Sequence, residues 1–179
     1  MQKITHYELC KKTAKRFVKK SNIVLYEYNN MITNEFPDVL CYQNALTSLY
    51  EIKVDYKDFL KDNKKDCRVE KKIKYSMCFR FIEDKIKDFM LKDKRLEELI
   101  IEKPHLGSYR YYVCPKGLIN PEEVKNGWGL YWFDNKRFFI KKESKRFKNN
   151  IYEELKLLEH AFKKYYSGYG KNILVNGYR

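Results

Sequence analysis

Three charged residues occupy positions where the sequence otherwise predicts buried β-strand. Asp38 follows Pro37 at the start of one apolar run, and Glu51 and Lys53 interrupt a second run over residues 49–54. A charge inside a buried strand is unfavourable unless it is paired or bound to a metal ion. Because strand side chains alternate between two faces, Glu51 and Lys53 point the same way, about 7 Å apart. If the preceding strand pairs with this one, Asp38 can lie on that face too.

Two carboxylates and one ammonium in this arrangement suit the metal-assisted hydrolysis of a phosphodiester. Asp38 and Glu51, with the main-chain carbonyl of Ile52, offer the hard oxygen ligands that Mg²⁺ or Mn²⁺ prefers. An ammonium such as Lys53 can orient or deprotonate the attacking water and stabilise the charge that develops on the phosphoryl group. Glu27 is a candidate auxiliary metal ligand if its strand neighbours Asp38; the alternative is an ordinary exposed strand residue.

Five predicted elements position these residues. Thr5 caps a first helix over residues 5–18, and Glu8 stands at the matching capping-box position. Glu8 is either that capping residue or an auxiliary carboxylate for a second metal ion. The next runs predict three strands, the third of them central in the sheet, and then a second helix. These four elements cover residues 23–28, 38–42, 49–54 and 55–62, with a polar turn at 43–48.

The second half of the chain begins with a Lys-rich segment and then returns to strands. Residues 63–106 contain no Gly and a single Pro, and their helical spacing predicts one or two inserted helices. Three further strands are predicted at 109–114, 129–133 and 137–141. A final helix is predicted over residues 151–166, with Leu155, Leu158 and Phe162 on one apolar face. The tail after this helix is predicted to be loosely held.

The order of these elements predicts an α/β fold, a mixed sheet flanked by helices with an α-helical insertion. The length of 179 residues favours a single domain over residues 1–179.

The chain is strongly basic. Its 38 Lys and Arg against 24 Asp and Glu give a formal net charge of +14, although AT-rich coding by itself enriches Lys and Tyr. Such a charge favours a polyanionic partner, either nucleic acid or an anionic membrane surface. Lysines in and after the second helix are candidates to follow a DNA backbone, the alternative being a solvated helix face. They are Lys57, Lys64, Lys65, Lys71 and Lys72.

The cysteines indicate a reducing compartment. The five are odd in number and scattered, with no C-x-x-C pair and no His at metal-finger spacing. We interpret them as reduced thiols of a cytoplasmic protein. No window approaches about 18 apolar residues, and no apolar signal region opens the sequence, so neither a membrane partner nor a signal peptide is expected.

The joint pattern is more specific than its parts. Glu-x-Lys occurs six times in the chain, whereas Pro-Asp occurs once, at 37–38. The combination of Pro-Asp with Glu-x-Lys across two strands, after a helix and a strand, resembles the PD-(D/E)XK nuclease superfamily. Residues 25–64 are similar to the MmcB-like group of DNA-repair and phage-associated proteins. The matching segments are 25–27 (LYE), 37–38 (PD), 50–53 (YEIK), 58–64 (DFLKDNK), 109–115 (YRYYVCP), 117–119 (GLI) and 127–130 (GWGL).

This resemblance covers about two thirds of the chain. It implies a restriction-endonuclease-like core, a Mg²⁺ or Mn²⁺ cofactor and a DNA substrate, with Asp38, Glu51 and Lys53 as the catalytic residues. The chain departs from the pattern in its Lys-rich insertion, which bears on the substrate and the biological role.

Three hypotheses therefore stand. The first is a metal-dependent DNA endonuclease related to phage, mobile elements or DNA repair. The second is a catalytically silent protein on a nuclease-like fold that binds nucleic acid or inhibits a nucleic-acid enzyme. The third is a nuclease with the same site acting on RNA. Many proteins of this fold work as homodimers, but nothing in the sequence fixes an interface.

Overall fold

A computed structural model of the chain describes residues 4–28, 33, 35–62 and 105–176. Three helices and seven strands occur in these ranges, together with a 3₁₀ turn at Pro121–Glu123. The helices are α1 (His6–Phe17), α2 (Tyr56–Asp62) and α3 (Ile151–Tyr166). The strands are β1 (Ile23–Tyr26), β2 (Val39–Gln43), β3 (Leu46–Ile52), β4 (Tyr109–Pro115), β5 (Gly129–Phe133), β6 (Phe138–Lys142) and β7 (Ile173–Val175).

The seven strands form one sheet in the order β6-β5-β4-β3-β2-β1-β7. β4 pairs in parallel with β3 and β5, and the other neighbouring pairs are antiparallel. β3 is the middle strand, as its nearly continuous apolar character predicted. The mixed α/β fold with flanking helices is thereby confirmed for the described residues. The predicted insertion at 63–106 lies outside them except for its last two residues.

A tight hairpin sets the register between β2 and β3. Asn44 and Ala45 both have positive φ, 47° and 62°, as the turns favoured in two-residue hairpins require. The predicted polar turn at 43–48 is therefore too long, because β3 already begins at Leu46. The resulting register pairs Val39 with Tyr50.

Both faces of the sheet are buried, by different helices. α1 covers one face and α2 and α3 cover the other. On the α1 face the core includes Leu9, Val24, Val39, Tyr50, Ile52 and Val113. On the opposite face it includes Leu40, Leu49, Phe59, Tyr112, Leu130 and Leu157. The apolar side chains of β3 therefore alternate between the two cores. A charged residue in this strand is unusual because either face of the strand is buried.

The apolar face predicted for α3 is only partly right, although the bounds of the helix are right. Leu158 is half-buried near Ile23 and Ile173, but the face as a whole is rotated from the prediction. Leu155 is 57% exposed and Phe162 38%, whereas Leu157 is 1% exposed. The helix turns instead to bury Glu154, whose Oε1 accepts hydrogen bonds from Thr47 Oγ1 at 2.7 Å and from Gly107 N at 2.8 Å. A carboxylate that accepts several hydrogen bonds is tolerated in a core. The buried face of α3 therefore includes the polar residue Glu154 beside Leu157 and Ala161.

Two substitutions only two residues apart in α3 test this orientation. Leu157→Ala should lower the free energy of unfolding by about 2–5 kcal/mol, because it opens a cavity in the core. Leu155→Ala should change it by less than about 0.5 kcal/mol, because the side chain is mostly in solvent. Urea unfolding followed by circular dichroism measures both, and equal losses for the two variants would contradict the orientation.

The C-terminal tail is partly held, contrary to the prediction. Ile173–Val175 form β7, which pairs with β1 at an edge of the sheet. Among the described residues, none of the helices has the length and apolar character needed to cross a bilayer.

Candidate active site

Asp38 lies against the central strand, just before β2 begins. Its Oδ2 accepts a hydrogen bond from the main-chain N–H of Ile52 at 2.7 Å. Continuing the β2–β3 register one pair beyond Val39 and Tyr50 sets Asp38 opposite Glu51. The carboxylate of Asp38 therefore lies beside the short stretch of β3 that carries Glu51 and the Ile52 carbonyl.

Glu51 and Lys53 meet a third charge from α2. Lys53 Nζ lies 3.3 Å from Glu51 Oε2 and 3.2 Å from Asp62 Oδ1, and all three side chains are buried. Tyr112 on β4 donates its hydroxyl to Asp62 Oδ2 at 2.8 Å. An ammonium between two carboxylates, one of them held by a further hydrogen bond, offsets much of the cost of burying these charges. Asp62 therefore explains how Lys53 is accommodated at the end of the central strand.

On the α1 side, His6 joins two carboxylates. Its Nδ1 lies 2.9 Å from Glu27 Oε1, and its Nε2 lies 3.3 Å from Asp38 Oδ2. The hydrogen bond to Asp38 is the main cause that raises the pKa of His6, and the charges of Asp38 and Glu27 add to it against the opposing effect of burial. The imidazole therefore ties the residue after β1 to the residue before β2.

Cys10 completes the α1 side, one helical turn after His6. Its Sγ donates to Glu27 Oε1 at 3.0 Å and lies 3.6 Å from His6 Nδ1. Burial raises the pKa of the Cys10 thiol well above its usual range, and the hydrogen bond to Glu27 and the charges of Asp38, Glu27 and Glu51 add to this. Glu27 has φ 45°, a left-handed conformation uncommon outside glycine. The side chain of Glu27 is thereby directed from the end of β1 to α1.

Together the two sides form one polar cluster around the peptide of Ile52. Among the residues that the structure describes, four carboxylates (Glu27, Asp38, Glu51 and Asp62) lie with one ammonium and one imidazole, and grouped carboxylates are suited to bind a cation. Asp38 and Glu51 on either side of this peptide provide hard oxygen donors, which fit Mg²⁺ or Mn²⁺.

The residues predicted from the sequence fall into three groups. Asp38, Glu51, Ile52, Lys53 and Glu27 are brought together, as described above. The second group lies apart: Glu8 is exposed in the capping box of α1, where its Oε2 accepts from Thr5 N at 2.9 Å, and Lys57 is exposed on α2. The third group, Lys64, Lys65, Lys71 and Lys72, lies outside the described residues.

Three members of the cluster were missed by sequence reasoning, namely His6, Cys10 and Asp62. The sequence pattern assigned no role to His6 and predicted Cys10 only as a reduced thiol. A usable signal existed for both, because His6 and Cys10 are four residues apart and so share one face of a helix. For Asp62 the only signal was its place in the segment that resembles the nuclease group.

A basic groove, defined by six cationic residues, lies between α1 and the β5–β6 hairpin. Residues at i, i+3, i+4 and i+7 from Lys12 line one wall, and the other wall comes from the hairpin turn, with Phe133 and Phe138 between them. The helical spacing of the four basic residues on the first wall was the sequence signal that could have predicted this groove. The cations of the groove are Lys12, Lys15, Arg16, Lys19, Lys136 and Arg137.

The fold and the site define a mixed α/β protein whose polar cluster lies at the end of the central strand, and this architecture is consistent with the restriction-endonuclease-like class. The chain is similar to a solved structure described as the SPO1766 protein of unknown function from Silicibacter pomeroyi. The TM-score is 0.55 at 11% sequence identity, over 93% of this chain and 92% of that chain. No protein-family model and no curated protein matches the chain. The likeness therefore concerns the fold alone.

Proposed function

We propose that the chain is a metal-dependent endonuclease that hydrolyses phosphodiester bonds in DNA. The observation that carries the proposal is the meeting of Asp38, Glu51 and Lys53 at the Ile52 peptide of the central strand. Two carboxylates and an ammonium at one point supply both the ligands and the positioning group that this reaction needs. A role in phage, mobile-element or DNA-repair biology is part of the proposal through the resemblance stated above.

Asp38, Glu51 and the Ile52 carbonyl would hold Mg²⁺ or Mn²⁺, which supplies charge neutralisation at the phosphoryl group when bound. Glu27 would join this set as an auxiliary ligand. Lys53 donates hydrogen bonds that orient the attacking water and stabilise charge as the bond to the leaving oxygen breaks. Asp62 would help to keep the Lys53 ammonium in place, since its Oδ1 lies 3.2 Å from Nζ.

The basic groove supports a nucleic acid as the substrate. Its residues Lys15 and Arg16 lie on the same helix as His6, nine or ten residues further on. At 1.5 Å per residue this corresponds to roughly 14 Å, the length of about four nucleotides of one strand. A backbone held in the groove can therefore reach the carboxylates within a short stretch of nucleic acid.

A second candidate function, binding without cleavage, is favoured by the same groove. The six cations bind phosphates through charge alone, which requires neither the carboxylates nor a metal ion. In that case the protein binds nucleic acid or inhibits an enzyme that acts on it. An RNA-directed nuclease with the same site is the third candidate. A homodimer and a cytoplasmic location stay predictions of the sequence.

Cleavage assays on the wild type and Lys53→Ala separate these functions. Supercoiled plasmid, branched DNA, single-stranded DNA and RNA of matched sequence are incubated with Mg²⁺ or Mn²⁺. The wild type should cut DNA only with metal, and Lys53→Ala should cut at least about a hundredfold more slowly, because the water and the developing charge lose their positioning group.

The same preparations give the control, since nucleic-acid binding at different salt concentrations reports on the groove. Binding should persist in Lys53→Ala and in EDTA, and should fall with salt. Salt-sensitive binding with no cutting by either protein would reject the nuclease and favour the binding function. Cutting of RNA alone would favour the third candidate.

A further inference from the structure

We propose that His6, Cys10 and Glu27 form a second metal site, one that takes a zinc-class transition-metal ion rather than Mg²⁺. Their ligand atoms all lie within 4.8 Å of one another. Glu27 Oε1 lies 2.9 Å from His6 Nδ1 and 3.0 Å from Cys10 Sγ, and these two atoms lie 3.6 Å apart. One imidazole nitrogen, one sulfur and one carboxylate oxygen therefore face a common point.

These separations are close to those that a tetrahedral ion needs. Zinc binds nitrogen and oxygen at about 2.0–2.2 Å and sulfur at about 2.3 Å, so neighbouring ligand atoms lie roughly 3.3–3.7 Å apart. A shift of a few tenths of an ångström in the Glu27 carboxylate would open the triangle to that size. The thiol proton would leave to solvent as the sulfur–metal bond forms, which is the usual course for a cysteine ligand.

The second nitrogen of His6 is already held in the manner of metal-binding imidazoles. Nε2 lies 3.3 Å from Asp38 Oδ2, and a carboxylate at one ring nitrogen fixes the ring and leaves the other nitrogen for a metal. The side chains of His6 and Glu27 are about two-fifths and one-third exposed. A water can therefore complete the site as a fourth ligand, as in zinc sites with three protein ligands.

The donor set separates this site from the proposed magnesium site. Sulfur and imidazole donors select zinc-class ions, whereas the oxygens of Asp38 and Glu51 suit Mg²⁺ or Mn²⁺. Asp38 and Glu27 adjoin both sites. Asp38 is the partner of His6 in one and a ligand in the other, and Glu27 is a ligand of the zinc-class ion as well as the auxiliary ligand of the proposed magnesium site. A metal ion bound at His6 would therefore hold the imidazole against Asp38 and stabilise the α1 side of the cluster.

Cobalt titration of the full chain tests the site, because a thiolate bound to Co²⁺ gives a charge-transfer band that an all-oxygen site cannot give. The titration uses a C67S/C78S background, so that only Cys10, Cys41 and Cys114 remain. We expect the band in this background and after the further change Cys41→Ser, a buried cysteine outside the cluster. We expect its loss with Cys10→Ser. Zinc added afterwards should remove the band by displacing cobalt.

His6→Ala tests the zinc-class site independently. Replacing the partly exposed His6 carries less risk of unfolding the protein than replacing the buried Cys10. It should weaken Co²⁺ binding at least about tenfold and reduce the rise in melting temperature produced by Zn²⁺. A band of equal strength in Cys10→Ser, no band in the C67S/C78S background, or unchanged affinity in His6→Ala would overturn the site. Lys53→Ala should keep the band, so that loss of nuclease activity and loss of this site are separate outcomes.

Discussion

Glu51→Gln is expected to reduce metal-dependent DNA cleavage by roughly a thousandfold, equivalent to about 4 kcal/mol of transition-state stabilisation. The change removes a negative charge from the proposed magnesium site and leaves the shape of the side chain. The amide oxygen can still accept the hydrogen bond from Lys53 Nζ, which the carboxylate accepts at 3.3 Å. Because Asp62 also contacts that ammonium, the fold should survive and the loss should lie in catalysis.

The measurement compares single-turnover cleavage rates at several Mg²⁺ concentrations. Glu143→Gln is the matched control, because Glu143 also stands in a Glu-x-Lys sequence but is exposed next to β6. The control should cut at the wild-type rate. Glu51→Gln should need more metal for any residual cutting and should bind DNA as the wild type does. A Glu51→Gln protein that cuts as fast as the control would refute the assignment of Glu51 as a ligand.

The central strand and its neighbours could be predicted because their signals are local. β3 carries apolar residues on both faces, and this pattern is typical of a strand buried on both sides. Thr5 and Glu8 predicted the first helix through the capping box, which the structure confirms. Charges at Glu51 and Lys53 were conspicuous for the same reason, since each interrupts a local pattern.

The rest of the site depends on how helices dock, which no local pattern specifies. Asp62 ends a short helix of mixed polarity. The helix packs through Phe59 into the core beside Tyr112, and this docking brings the Asp62 carboxylate to Lys53 and Tyr112. His6 reaches Asp38 because the first turn of α1 docks where β1 ends and β2 begins. The orientation of α3 could not be predicted for a related reason. The groups that donate hydrogen bonds to the buried Glu154 carboxylate belong to segments far away in the sequence.

Asp62→Ala should have the largest effect on stability and a strong effect on activity. Asp62 is fully buried and contacts Lys53 Nζ at 3.2 Å and the Tyr112 hydroxyl at 2.8 Å. Removing one partner of a buried charge network leaves the remaining charge poorly compensated, at a cost of about 3–5 kcal/mol in the free energy of unfolding. The ammonium of Lys53 would then shift towards Glu51 or solvent, away from the position that orients the water.

Urea unfolding measures the stability, and cleavage at low temperature, where the variant stays folded, measures the rate per folded molecule. The rate should fall by about ten- to a hundredfold while DNA binding is unchanged, because Asp62 positions Lys53 and does not touch DNA. Asp58→Ala is the control on the same helix, since Asp58 is exposed and its loss should cost less than about 0.5 kcal/mol. If Asp62→Ala reduced stability but cut at the Asp58→Ala rate, Asp62 would support the fold without positioning Lys53. Equal stabilities for the two variants would contradict the buried ion pair itself.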